Sequence, residues 1–107
     1  MSIPQLSPAE VASWQQQGRD FVLLDVREAD EVAFAALDGH THIPMHMVPL
    51  RHNELPDDVP LVVYCHHGVR SFQVAAFLKQ AGFEEVYNLA GGIDAWSLQI
   101  DAAVPRY

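Results

Sequence analysis

The chain has one cysteine, Cys65, so it cannot form an internal disulfide and has no second thiol for a CxxC redox pair or a zinc ribbon. It is also poor in positive charge: six Lys and Arg stand against fourteen Asp and Glu, a formal net charge of −8. That balance opposes phosphate backbones and anionic lipid, so neither nucleic acid nor a membrane surface is an expected partner. No apolar run approaches the ~18 residues needed to cross a bilayer. The opening MSIPQLSPAE lacks the basic start and apolar stretch of a secretory signal, which makes the cytoplasm the expected location. Internal repeats and low-complexity tracts are missing as well.

What is present suits one compact domain over residues 1–107: half of the 107 residues are hydrophobic and 19% are charged, enough apolar surface to offset the entropy of ordering. One hydrophobic core is expected. Short β-rich runs alternate with amphipathic segments. Ser7-Pro8-Ala9-Glu10 reads as an N-cap, a proline at the first helical position and an early acid, opening a helix that Gly18 ends. Phe21 to Val26 is a nearly continuous apolar run, as in a strand covered on both faces. A helix from Glu28 to about Leu37, a β-like stretch at His40 to Pro44 and a helical piece at Val48 to Leu55 follow. Leu61 to Tyr64 is the clearest strand. The spacing then predicts a helix over Ser71 to Gln80, a strand over Glu85 to Leu89 and a last helix from Ile93 to about Leu98. DAAVPRY is expected as an irregular surface tail. The order implies an α/β fold: a mostly parallel sheet of about five strands with helices on both faces and ligand sites at the carboxyl ends of strands.

Cys65 falls at such an end, where Cys65-His66-His67-Gly68-Val69-Arg70-Ser71 joins a central strand to a helix. Amides of a tight loop can converge on one point, and the helix dipole adds positive potential there. The same field favours thiolate over thiol, lowering the pKa of Cys65 and making it a nucleophile. Gly68 permits the turn, Arg70 supplies a charge suited to a thiosulfonate or carboxylate, and Ser71 can cap the helix or donate into the loop. A buried cysteine is more often small apolar filler, but a strand end followed by Gly and Arg at this spacing points to a site.

The Cys65-x-x-Gly68-x-Arg70-Ser71 pattern resembles the active-site loop of the rhodanese superfamily in its single-domain form. Leu24-Asp25-Val26-Arg27-Glu28, His42-Ile43-Pro44, Val62-Val63-Tyr64 and Asn88-Leu89-Ala90-Gly91-Gly92-Ile93-x-Ala95-Trp96 resemble further family segments, so the likeness runs in order over about residues 5 to 98. The resemblance implies a thiosulfate sulfurtransferase. Catalytic Cys65 would take a sulfane sulfur from thiosulfate or a similar donor and pass it from a persulfide to cyanide or a thiol, with no cofactor. His66, His67, Gly68, Val69, Arg70 and Ser71 would bind the substrate, the two histidines by tuning the site. It also implies that a six-residue loop, the count from Cys65 to Arg70, fits sulfur, whereas a seven-residue loop fits phosphate or arsenate.

Two other readings remain. A cysteine phosphatase has five residues between Cys and Arg where this chain has four. A carrier or sensor module would hand its persulfide to a protein acceptor, and many rhodanese-like modules serve that way. No metal site is expected, because His40, His42 and His46, with the His66-His67 pair, lack a cysteine or acid to complete a tetrahedral set. Asp25 is read as capping its turn or bonding loop amides, and Arg27 as pairing with an acid between Glu28 and Glu31. Trp14 and Trp96 are read as packing. Met45, His46 and Met47 are candidates for the mouth or for packing.

Overall fold

Ser7 begins the first helix as its sequence predicts: its hydroxyl accepts from the Glu10 amide at 3.1 Å, and the Glu10 carboxylate accepts from the Ser7 amide at 3.0 Å. The computed structural model describes residues 3–107. In chain order the elements are β1 (Gln5–Leu6), α1 (Pro8–Gln16), β2 (Val22–Asp25), α2 (Ala29–Phe34), β3 (Thr41–His42), α3 (Val48–Arg51, between two 3₁₀ turns), β4 (Leu61–Tyr64), α4 (Val69–Gln80), β5 (Val86–Leu89) and α5 (Gly92–Gln99).

The five strands form one sheet in the order β1-β5-β4-β2-β3, and every adjacent pair is parallel. Successive residues of a strand face opposite sides, so the sheet divides the expected single core in two. Leu24, Leu61 and Val63 pack on one side with Val74 and Leu78 of α4. Leu23, Val62 and Tyr64 pack on the other with Val11 of α1 and Ile93 and Trp96 of α5. Both sides are covered, which is why β2 and β4 read as unbroken apolar runs. Trp14 packs edge-on against Phe21 and Tyr87, so both tryptophans serve packing. Met45 and Met47 pack against the α4 side of the core. Among the described residues, no helix is long and apolar enough to cross a membrane.

Three expectations shift. β1 had no local signal; its two residues pair with Asn88 and Leu89 at the edge of the sheet. α2 stops at Phe34 rather than running to Leu37, because Ala35 turns extended (φ −157°, ψ 139°) and its carbonyl accepts a 2.6 Å bond from Arg27 Nη2. α4 starts at Val69, two residues before the expected Ser71, which places Arg70 and Ser71 in its first turn.

Candidate active site

β4 ends at Tyr64, and Cys65 begins the loop that Gly68 closes by capping α4 with φ +104°, a conformation L side chains rarely adopt. Cys65 is 1% exposed, yet its sulfur is not simply buried in hydrocarbon. The amides of Gly68 and Ser71 donate to Sγ at 3.1 and 3.4 Å, and the Ser71 hydroxyl lies 3.3 Å away. Burial raises the pKa of the thiol. The Ser71 hydroxyl and the amides of Ser71, Gly68 and His67 lower it, and the net direction is down.

The hydroxyl's share is conditional, since its oxygen is also 2.5 Å from Asn88 Oδ1. Two oxygens that close need a proton between them, and the hydroxyl has only one. The Asn88 amide is oriented by its other end, where Nδ2 donates to the Gly68 carbonyl and to Gln5 Oε1, both at 3.1 Å. While Ser71 serves Asn88, the lowering at Cys65 therefore rests on the amides.

α5 fixes the other side of the loop. Its first free amides, on Ile93 and Asp94, donate to the carbonyls of Cys65 and His66 at 2.9 and 3.1 Å. A trans peptide points its C=O and N–H in opposite directions, so a His66 carbonyl held toward α5 sends the His67 amide the other way, where it lowers the Cys65 pKa.

Arg70 does not stand free at the rim. Its two terminal nitrogens grip the Glu31 carboxylate at 2.7 and 3.0 Å. Led by that contact, Glu31 falls to about pKa 2, and Arg70 is pushed up in turn. Tyr107 completes the group: its hydroxyl donates to Glu31 Oε2 at 2.8 Å and accepts from Arg27 at 2.8 Å, and its ring stacks on His66 at 3.8 Å. The expected irregular surface tail is irregular, and it docks on the loop, with Arg106 also paired to Asp94 at 2.9 Å.

Arg27 corrects another expectation. It is fully buried and its side chain pairs with Asp25 at 2.7 Å, touching Glu31 only through that residue's carbonyl. Burial opposes its charge, but Asp25 and Tyr107 outweigh burial and keep it protonated. Asp25 also accepts from the Arg27 amide at 3.0 Å, the turn bond read from the sequence.

His66 lies between the rings of His67 and Tyr107, both 3.8 Å away, and its buried Nε2 has no hydrogen-bond partner among the described residues. Burial, with His67 beside it, lowers its pKa and favours the neutral ring. Val69 is 69% exposed. The rings of His40 and His42 donate to two different carbonyls, those of Leu37 and Arg27, while His46 lies in a 3₁₀ turn. His66, His67 and Asp94 bring ligand atoms within 4.8 Å of one another, but the two rings are stacked and Arg106 already occupies Asp94.

Glu31, Asn88, Gly92 and Tyr107 were not singled out from the sequence as parts of the site. Asn88 and Gly92 lay inside a quoted segment, and Glu31 was one acid in a cluster. Nothing near Tyr107 in sequence marks it.

Comparison with known proteins agrees with this geometry. The family model described as "Rhodanese-like domain" matches residues 7–99. A sulfurtransferase of Allochromatium vinosum is 42% identical over 78 residues, covering 73% of each chain. The thiosulfate sulfurtransferase GlpE of Haemophilus influenzae is 36% identical over 107 residues, covering 96% of this chain and 99% of that one. The crystal structure of a rhodanese-related protein from Thermoplasma volcanium superposes with a TM-score of 0.81 at 27% identity, covering 95% of both chains. With a cysteine at the end of the central strand, ringed by amides and followed by Gly68 and Arg70, the chain belongs to the rhodanese-like domain family.

Proposed function

We propose that the protein is a sulfurtransferase working as one domain over residues 1–107, with Cys65 as its nucleophile. The observation that carries the reading is the Cys65 sulfur at the focus of main-chain amides, in the form expected of a thiolate site. The thiolate attacks the outer sulfur of thiosulfate or a similar donor. The S–S bond of the donor breaks, sulfite leaves with the bonding pair, and Cys65 carries a terminal, anionic persulfide sulfur. Cyanide or a thiol then attacks that sulfur and releases the Cys65 thiolate, so the kinetics are ping-pong. Donors already aimed into the loop stabilise negative sulfur without reorganising at the moment of reaction. His66, His67, Gly68, Val69 and Ser71 line the binding loop, and Arg70 acts from its pair with Glu31. The relatives named as sulfurtransferases support this chemistry. No cofactor enters the cycle, and the cytoplasm is the proposed location.

Intact mass after exposure to thiosulfate tests it. One added sulfur, about 32 Da, is expected on the parent and none on Cys65→Ser, which should keep the fold and lose thiosulfate:cyanide transfer. Full transfer by Cys65→Ser would end the assignment. A second reading, delivery of the persulfide to a protein acceptor, draws on the exposed apolar side chains of Val69 and Phe72 beside the loop, 69% and 40% exposed.

A further inference from the structure

The chain has five arginines, and each one is paired with a carboxylate: Arg19 with Glu85, Arg27 with Asp25, Arg51 with Glu54, Arg70 with Glu31 and Arg106 with Asp94. Two of these pairs flank the candidate loop. Arg70 is held by two parallel bonds, a geometry that fixes a guanidinium rather than leaving it free to swing toward a ligand. The Glu31 carboxylate, in the first turn of α2, is itself held from two more directions: by the Glu28 amide at 3.0 Å and by the Tyr107 hydroxyl at 2.8 Å. On the other flank, Asp94 cancels Arg106. Burial favours the neutral ring of His66. The positive potential left for an incoming anion is that of the amides and the amino end of α4, within a molecule of net charge −8.

We propose that Glu31 is a specificity-determining residue, which clamps Arg70 and takes its charge away from the mouth of the Cys65 site. The site then favours sulfur donors of low charge, such as the persulfide of a small thiol, over dianionic thiosulfate. This rests on the sulfur-transfer reading of the site. With a persulfide R–S–SH, the Cys65 thiolate attacks the outer sulfur, the S–S bond breaks and RS⁻ leaves. The outer sulfur and its proton pass to Cys65, so no oxidant or reductant is needed.

The charged groups on the elements around the loop are Asp25 on β2, Arg27 and Glu28 between β2 and α2, Asp30 and Glu31 on α2, Arg70 and Lys79 on α4, Asp94 on α5, and Asp101 and Arg106 on the tail. Glu31→Gln removes one of these charges and keeps one oxygen, which serves the capping position as well as glutamate does and leaves Arg70 one bond in place of two, so it opens the clamp without removing the cap.

The experiment alkylates Cys65 with iodoacetate, an anion, and iodoacetamide, its neutral isostere, and compares the two rates. The ratio reads charge at the mouth and needs no sulfur transfer. Glu31→Gln should raise the iodoacetate-to-iodoacetamide ratio about three- to tenfold, the effect of one unit charge acting through a partly solvated path. It should lower KM for thiosulfate by a similar factor. Adding Arg70→Ala to Glu31→Gln should cancel the gain. Arg70→Ala alone bares Glu31 without touching α2, and the ratio should fall below the parent's. An unchanged ratio in both single variants would overturn the proposal, as would a gain that survives in the double variant. Failure of sulfur transfer itself would show instead as no added sulfur on the parent from either thiosulfate or a small-thiol persulfide, with the alkylation ratios unaffected.

Discussion

Gly92 is where the backbone supporting the loop is tightest, and replacing it with alanine separates two costs that usually come together. A Cβ built on Gly92 lies 2.5 Å from the carbonyl oxygens of both Cys65 and His66 and 2.6 Å from the His66 carbonyl carbon. All three are main-chain atoms, so no flexible side chain can give way. Gly92 also has φ +63°, where an L residue costs about 1–2 kcal/mol. Overpacking against rigid neighbours adds about 1–3 kcal/mol. Gly18 is the control: its φ is +68° and nothing lies within 4 Å of a built Cβ, so Gly18→Ala carries the backbone cost alone.

Gly92→Ala should therefore lose about 2–5 kcal/mol and Gly18→Ala about 1–2 kcal/mol. At roughly 5 °C per kcal/mol for a chain of this size, the melting temperatures should fall by about 10–25 °C and about 5–10 °C. Relief of the clash pushes the carbonyls of Cys65 and His66 away from α5 and tilts the loop amides off Sγ. At temperatures where both variants are folded, Gly92→Ala should thus slow alkylation of Cys65 at neutral pH, whereas Gly18→Ala should not. Equal losses of stability and equal alkylation rates in the two variants would refute the view that α5 aims the loop.

The proton of the Ser71 hydroxyl faces Asn88, so Ser71→Ala should move the pH midpoint of Cys65 alkylation less than Gly92→Ala does. A large upward move in Ser71→Ala would show that the hydroxyl donates to the sulfur in the resting enzyme. Arg27→Met leaves Asp25 charged and unpaired at 0% exposure, and urea denaturation should show a loss of about 3–5 kcal/mol. Adding Asp25→Leu should recover part of that loss; a double variant as unstable as the sum of the singles would argue against charge burial as the cause.

The parts of the fold that were legible in the sequence are those where the cause is local. Ser7, Pro8 and Glu10 cap α1 within one turn, and Leu61 to Tyr64 reads as a strand because four apolar residues follow a proline. The loop was legible for the same reason, since Cys65, Gly68 and Ser71 meet within seven residues. What was hidden depends on distance along the chain. β1 exists only because Asn88 and Leu89 present an open strand edge to it. α2 ends early because Arg27, which precedes the helix, reaches the Ala35 carbonyl. The partner of Arg70 lies 39 residues away and that of the Arg27 guanidinium at Tyr107 lies 80 away, separations at which an acidic cluster offers several equal candidates. Local chemistry located Cys65 and its loop, but tertiary contacts decide the charge around them.

That division bears on how the site works. The groups that meet Cys65 Sγ are mostly main chain, and the groups that hold that main chain are α5 amides, an asparagine on β5 and a glycine in α5 that admits no Cβ. Electrostatic stabilisation of the sulfur is thereby built into the packing of β4, α4 and α5, and it survives changes of side chain at His67 and Val69, which are largely exposed. Side-chain charge enters one step further out, through Glu31 and Arg70, where it can be altered without disturbing the amides. On the proposals above, the nucleophilicity of Cys65 rests mainly on the amides and donor preference on the charges outside them. If so, Glu31→Gln should shift the choice among donors while lowering the pH midpoint of Cys65 alkylation by neutral iodoacetamide by less than Gly92→Ala raises it.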